Sequence, residues 1–246
     1  MMRRKNNRLI IILIAIIFLS GIFIFDHFVM NPIESNPTAV VTPKTELIAN
    51  NTNDSGYVQV MKNVGNPNGK KIAYVVGVHP LENDTHRTLL KLLPTLDNLN
   101  YCYDIYIINV TEDFNSYGQL LPDDNPGRDT GQNLAYKYVY PEIMKGNYEM
   151  AVDIHAHGGA YAYDTFVFSP VKNSTGADYA MNVSKSTKNV SYYDPEHTTS
   201  GPYLTVPLNQ NGVPAFYFEE NSFFPQDLKD AHMLELIHGI DNLKFN

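Results

Sequence analysis

Residues 72–78 form an apolar run, Ile72-Ala73-Tyr74-Val75-Val76-Gly77-Val78, that stops abruptly at His79-Pro80-Leu81-Glu82. Apolar runs of this length bounded by Gly and Pro read as buried strands. In open α/β sheets, ligands gather just beyond the carboxyl ends of such strands. His79 and Glu82 stand in that place, and both side-chain types bind zinc.

The pattern repeats downstream. Residues 84–99 read as a helix capped by Asp84 or Thr85, with Leu89, Leu90, Leu92, Leu93 and Leu96 on an apolar face and Pro94 bending or shortening it. Residues 103–110 read as a second strand. Strand, helix, strand in that order predicts a parallel pair joined by a crossover. A polar loop over 112–130 leads to a helix over 131–144, and a third strand over 149–154 runs into Asp153-Ile154-His155-Ala156-His157. Further strands are expected at 163–168 and 214–219, with helices at 177–188 and 225–243, the last opened by Pro225. This order argues for a three-layer α/β/α domain around a mostly parallel mixed sheet.

Before the domain the composition changes. Residues 1–8 carry Arg3, Arg4, Lys5 and Arg8 and are expected to be cytoplasmic. Residues 9–30 open with about 17 uncharged, mostly apolar residues, at the short end of a membrane-spanning helix. No small-x-small cleavage site follows Phe25, so an uncleaved single-pass signal anchor is expected rather than a removed signal peptide. Residues 31–56, with Pro32, Pro37 and Pro43, read as a flexible linker. Residues 57–246 are then one extracytoplasmic domain, large enough to bury a full core. The formal net charge of −8 disfavours nucleic acid, whose phosphates need clustered Lys and Arg. The one cysteine, Cys102, excludes an internal disulfide and reads as a small core residue.

Three strands therefore end in chemically capable residues: His79 and Glu82, His155, and the pair Glu219-Glu220. Strands of one parallel sheet bring their carboxyl ends to one edge, so these groups can converge. Two His and one Glu make a catalytic zinc set with one position left open. A carboxylate outside that set, Glu219 or Glu220, can take a proton from water. Arg128, in Asn125-Pro126-Gly127-Arg128, is the candidate for a cation beside developing negative charge.

The order His-x-x-Glu, Arg loop, Asp-Ile-His, and a Glu closing a late strand resembles the zinc carboxypeptidase superfamily, which also contains succinylglutamate desuccinylase and aspartoacylase. The resemblance covers roughly residues 70–220 through short motifs. It implies one Zn2+ per chain held by His79, Glu82 and His155, Arg128 as carbonyl-polarising cation, and Glu219 as general base, with Glu220 the alternative. His157, Asn125, Tyr193 and Tyr203 are pocket candidates; Tyr192, Tyr193 and Tyr203 all fall where the family carries a site-covering Tyr. The family's Asp-Leu-Asn-Arg phrase is missing; Gln132-Asn133-Leu134 is the nearest stretch and lacks the Arg.

Plainer roles compete with each assignment. His79 could be a turn residue before Pro80, and Glu82 a helix-start carboxylate favoured by the dipole. His157 shares a face with His155 in extended chain and could replace it. His86 reads as a surface residue, and Arg128 could be a loop ion pair. The expected activity is a membrane-anchored, outward-facing zinc hydrolase of amide bonds, acting on a peptide such as a cell-envelope peptide. The alternatives are an N-acyl amino acid deacylase and a non-catalytic surface-binding module. No Gly-x-Ser-x-Gly elbow supports a serine hydrolase.

Overall fold

The structure, a computed structural model, describes residues 43–51, 55–111, 126–196 and 199–245. The segments 1–8 and 9–30, and with them the expected anchor, lie outside these residues, as does Asn125. Among the described residues no helix is long and apolar enough to cross a membrane.

One eight-stranded sheet organises the domain. Its strands are β1 (Lys44–Asn51), β2 (Gly56–Gly65), β3 (Lys71–Val76), β4 (Cys102–Val110), β5 (Tyr148–His157), β6 (Thr165–Phe168), β7 (Ser191–Tyr192) and β8 (Ala215–Asn221), in the order β1-β2-β4-β3-β5-β8-β6-β7. The central four, β4-β3-β5-β8, run parallel. Antiparallel pairing joins β1 to β2 and β2 to β4 on one flank, and β8 to β6 on the other. The parallel centre is the part written as apolar runs, because both of its faces are covered.

One face packs under α1 (Asn83–Leu92), α4 (Thr175–Ser186) and α6 (Gln226–Asp241), which contribute Leu89, Val183, Leu236 and Ile240 over Ile72, Tyr74, Val152 and Phe218. The other lies under α2 (Pro126–Leu134), α3 (Tyr140–Lys145) and α5 (Thr205–Gln210), with Leu134, Ile143 and Leu208 over Val60, Val75 and Ile108. Alternate residues of β3 serve the two cores, as a pleated strand requires.

Several sequence expectations are corrected. β1 occupies residues 44–51 of the stretch read as linker; Lys-Thr-Glu-Leu-Ile-Ala-Asn-Asn is polar because β1 is an edge strand, half exposed. The loop expected up to residue 130 ends earlier, since α2 begins at Pro126 and takes Arg128 into its first turn. The helix expected over 131–144 is not continuous; the chain passes through a π-helical turn, Ala135–Val139, and resumes as α3 with Pro141 at its start. A turn with i→i+5 bonding loosens the ladder where a proline removes a donor. Pro94 behaves as expected: α1 stops at Leu92 and a 3-10 turn follows. Pro225 is the N-cap of α6 rather than its first residue.

The last helix is tied to the start of β4 by one carboxylate. Asp241 accepts from the Asn100 backbone N–H at 2.9 Å, the Asn100 side-chain amide at 3.0 Å and the Tyr103 hydroxyl at 2.6 Å. Tyr103 is fully buried, so its hydroxyl has no water to turn to. Asp241→Ala is expected to lower unfolding free energy by about 2–4 kcal/mol, read in urea, because it orphans buried donors as well as deleting bonds. A loss below about 0.5 kcal/mol would contradict the tie.

Candidate metal centre and active-site cleft

The site forms where the parallel strands end. Past β3 the backbone turns at Gly77, whose φ is +91°. A Cβ there would collide with the Ile108 carbonyl, and one on Gly131 of α2 with the Val78 carbonyl. Only glycine fits either position, so the segment entering His79 is gripped from both sides. Pro80–Glu82 then makes a single 3-10 turn, closed by the Glu82 N–H donating to the His79 carbonyl at 3.1 Å. Residues three apart eclipse in such a turn. The His-x-x-Glu spacing thereby sets the two side chains together.

Glu82 is the hub. Its Oε1 accepts from His79 Nδ1 at 2.9 Å, and its Oε2 accepts from His155 Nδ1 at 2.8 Å and from the Ala156 N–H at 3.0 Å. The two imidazole rings stand 4.5 Å apart, centroid to centroid. His79, Glu82 and His155 each offer one ligand atom, all within 4.8 Å of one another. This donor set, two neutral-capable imidazoles and a carboxylate at a strand edge, fits a catalytic divalent metal. His155 lies inside β5 rather than after it, because the strand runs on to His157.

Each imidazole is held from behind. Gln132 Nε2 lies 3.1 Å from His79 Nε2, and Asp153 Oδ1 lies 3.1 Å from His155 Nε2, close but off the axis of a hydrogen bond. Both partners are buried. Asp153 reaches His155 because residues two apart share a strand face. With Nδ1 turned to Glu82, His79 accepts from the Gln132 amide. A metal on Nδ1 would shift the proton to Nε2, and the same amide can then accept through its oxygen. Neither role was assigned from sequence, although both residues stand in the quoted phrases: Asp153 two before His155, Gln132 one helical turn after Arg128.

Burial and the neighbouring His155 and Arg128 push the His79 pKa down to about 4, against the pull of Glu82. Burial works against a charged His155 as well, but Asp153 and Glu82 outweigh it and hold that imidazole well above its usual range. Burial would raise Glu82; the two histidines reverse this and hold it well below the usual carboxylate range.

Glu219 pairs in register with His155 across β5 and β8, on the same sheet face. It is buried, and its Oε2 has no hydrogen-bond partner among the described residues. Burial raises its pKa to about 8, helped by Glu82 and Asp153 and opposed by His155 and Arg128. Glu220 points to the opposite face, where it binds Thr165 Oγ1 at 2.9 Å and His232 Nδ1 at 3.1 Å beneath α6. Arg128 spans the site mouth, with Nη1 3.9 Å from Glu82 Oε1 and Nη2 donating to Thr199 Oγ1 at 2.6 Å. His157 is committed elsewhere: Nδ1 accepts from the Gly159 N–H at 3.1 Å and Nε2 donates to the Asp164 carbonyl at 3.0 Å. It lines a cleft of about 530 Å³ together with Glu82, Arg128, Glu219, Tyr161 and Phe223. Tyr193 packs against Tyr161 and Phe166 behind this wall, and Tyr203 sits in the turn Gly201–Tyr203; neither lines the cleft. Tyr161 does, and was not among the expected tyrosines. His86 is buried rather than exposed, its Nε2 donating to the Ile154 carbonyl at 3.0 Å from beneath the site.

No protein-family model matches the chain, and no curated protein matches it by sequence. Solved structures do. The metallo-carboxypeptidase from Burkholderia cenocepacia superposes with a TM-score of 0.51 over 82% of this chain and 65% of its own, at 12% identity. The chain has the metallo-carboxypeptidase-like fold. The apo cell shape determinant Csd4 from Helicobacter pylori gives a TM-score of 0.50 over 77% of this chain and 57% of its own, at 13% identity. Its tripeptide-bound form gives the same score and identity. The chain thus spans less than two thirds of each of these proteins.

Two measurements check the centre. Gln132→Ala is expected to weaken the affinity of the candidate centre for a divalent metal about tenfold to a hundredfold, by competition with a chromogenic chelator, as loss of a group behind a ligand does; unchanged affinity would remove Gln132 from the site. The second concerns Glu219 in chelator-treated protein. A folded pKa of about 8 against 4.5 means the folded chain keeps a proton the unfolded chain has released. Stability from this group is full below the lower value and falls as pH rises through the higher one. Glu219→Gln should therefore raise the melting temperature by an amount that widens from pH 5 to pH 8; a constant gap would contradict the burial argument.

Proposed function

We propose that this protein is a zinc-dependent hydrolase of amide bonds, acting on peptides in a carboxypeptidase-like manner. The observation that carries the reading is the convergence of His79, Glu82 and His155 within 4.8 Å of one another, with Glu82 sharing its cleft with Glu219, whose buried Oε2 has no hydrogen-bond partner among the described residues. The tripeptide-bound Csd4 structure supports a peptide as the substrate class.

His79, Glu82 and His155 would hold the metal. When bound, zinc supplies Lewis acidity toward a carbonyl, lowers the pKa of attacking water to about 7 and favours the ionised form of Glu219. Glu219 Oε2 takes the proton from water as it adds to the carbonyl, then returns it to the leaving amine. Its burial suits both halves of that task, since burial raises the carboxyl's proton affinity, making it a stronger base than an exposed one and a competent acid afterwards. The Arg128 guanidinium stands at the cleft mouth beside Glu82, where negative charge develops on the former carbonyl oxygen. Gln132 and Asp153 keep the imidazoles turned toward the centre. Glu220, facing the opposite core, takes no part in proton transfer.

The reading extends to location. The basic residues at 3–8 and the apolar run at 9–25 support a single-pass anchor that holds the domain outside the membrane, near cell-envelope peptides.

Assay of the zinc-loaded protein on peptides and on N-acyl amino acids tests the function and separates peptidase from deacylase. Glu219→Gln is expected to retain zinc and lose about a hundredfold to ten-thousandfold in kcat. Glu220→Gln should keep kcat within about threefold, the scale on which such contributions scatter. Equal losses in the two variants, or no loss in the first, would end the assignment of the base.

A further inference from the structure

Phe223 is 81% exposed, the most exposed of the large hydrophobic residues described, yet its backbone is fixed. Ser222 donates both its N–H and its hydroxyl to the His157 carbonyl, each at 2.9 Å. The Phe223 N–H donates to Asn221 Oδ1 at 3.0 Å and the Phe224 N–H to the Asn221 carbonyl at 3.1 Å. Asn221 is in turn held by Asp164, its N–H donating to the backbone carbonyl at 2.8 Å and its amide to Oδ1 at 2.7 Å. A single exposed apolar ring is ordinary on a protein surface; this one is set apart by its braced turn and by where it stands.

The ring stands on the wall of the cleft that holds Glu82, Arg128 and Glu219, four residues beyond Glu219. The space beside it is kept open by small residues. A side chain added at Gly158 would meet only Phe223 Cε2, at 3.8 Å, and one added at Gly159 would meet nothing within 4 Å. Leu81, Ala160 and Tyr161 continue the apolar lining. The volume of about 530 Å³ is that of a small-molecule site rather than of a protein interface.

We infer that Phe223 is a specificity-determining residue: with Gly158 and Tyr161 it forms an apolar subsite that takes a bulky aliphatic or aromatic side chain next to the scissile amide. This rests on the hydrolase reading above and narrows its substrate to amides with an apolar flanking group. The ring contributes by being covered on binding, since burying an aromatic side chain against another apolar group changes affinity by about tenfold to a hundredfold.

The test uses the detergent-solubilised, zinc-loaded full chain and acylated dipeptides with glycine, leucine or phenylalanine on either side of the cleaved bond. The apolar-over-glycine ratio of kcat/KM is expected to exceed ten on one side and to fall about tenfold or more in Phe223→Ala, with most of it kept in Phe223→Leu. A ratio that Phe223→Ala leaves unchanged, or losses equal across the series, overturns the inference. Calorimetric binding of N-benzoylphenylalanine to the metal-free chain gives a second readout, expected to weaken about tenfold in Phe223→Ala. If nothing is cleaved but this weakening appears, the hydrolase reading falls and the subsite stands. If cleavage proceeds with selectivity indifferent to Phe223, or wild-type binding is absent, the subsite falls alone.

Discussion

The candidate site of this domain depends on one largely enclosed carboxylate, 15% exposed. Glu82 joins a turn after β3 to the end of β5 through two imidazoles and a backbone N–H. Three donors around one ionised group offset the cost of enclosing its charge, which alone would be several kcal/mol. The same arrangement would preset a ligand set: the two imidazoles that stabilise Glu82 are those that could share a cation with it. Pre-forming a site in this way reduces the ordering cost of binding.

The sheet supplies the precision. Because β3, β5 and β8 run parallel and adjacent, their ends deliver His79, His155 and Glu219 to one edge. Pleating then sorts neighbours. Asp153 and His155 share a sheet face with Glu219, whereas Glu220 enters the core under α6 and binds His232 and Thr165. Two adjacent glutamates of identical chemistry thus meet different fates through strand alternation alone. The groups behind the histidines also differ, an amide behind His79 and a carboxylate behind His155. A carboxylate raises ligand basicity more than an amide does, so the two imidazoles would donate unequally to a metal.

Much of this was legible in the sequence where burial is two-sided. The runs at 72–78, 103–110 and 149–154 and the strand entering Glu219 all appear as strands, within a few residues at their ends. What escaped is what lacks that signature. β1 is polar because one edge faces solvent, so it read as linker. The start of α2 at Pro126 was hidden by Pro-Gly-Arg-Asp, a turn-like composition that a helix tolerates in its first turn. The candidate ligands His79, Glu82 and His155 stood out because His-x-x-Glu and Asp-Ile-His follow apolar strands, and the fold brings them within 4.8 Å of one another; Gln132 did not stand out, because its place behind His79 exists only once α2 is packed against the β3 turn through Gly131. His86 misled for the opposite reason: a polar residue on an amphipathic helix looks exposed, but the Ile154 carbonyl gave it a buried partner.

Zinc K-edge X-ray absorption on the protein loaded with one equivalent of metal addresses the centre most directly. The account predicts a first shell of nitrogen and oxygen only at about 2.0–2.1 Å, with multiple-scattering features of two imidazoles. Sulfur at about 2.3 Å, three or more imidazoles, or an aquo-ion spectrum would contradict it.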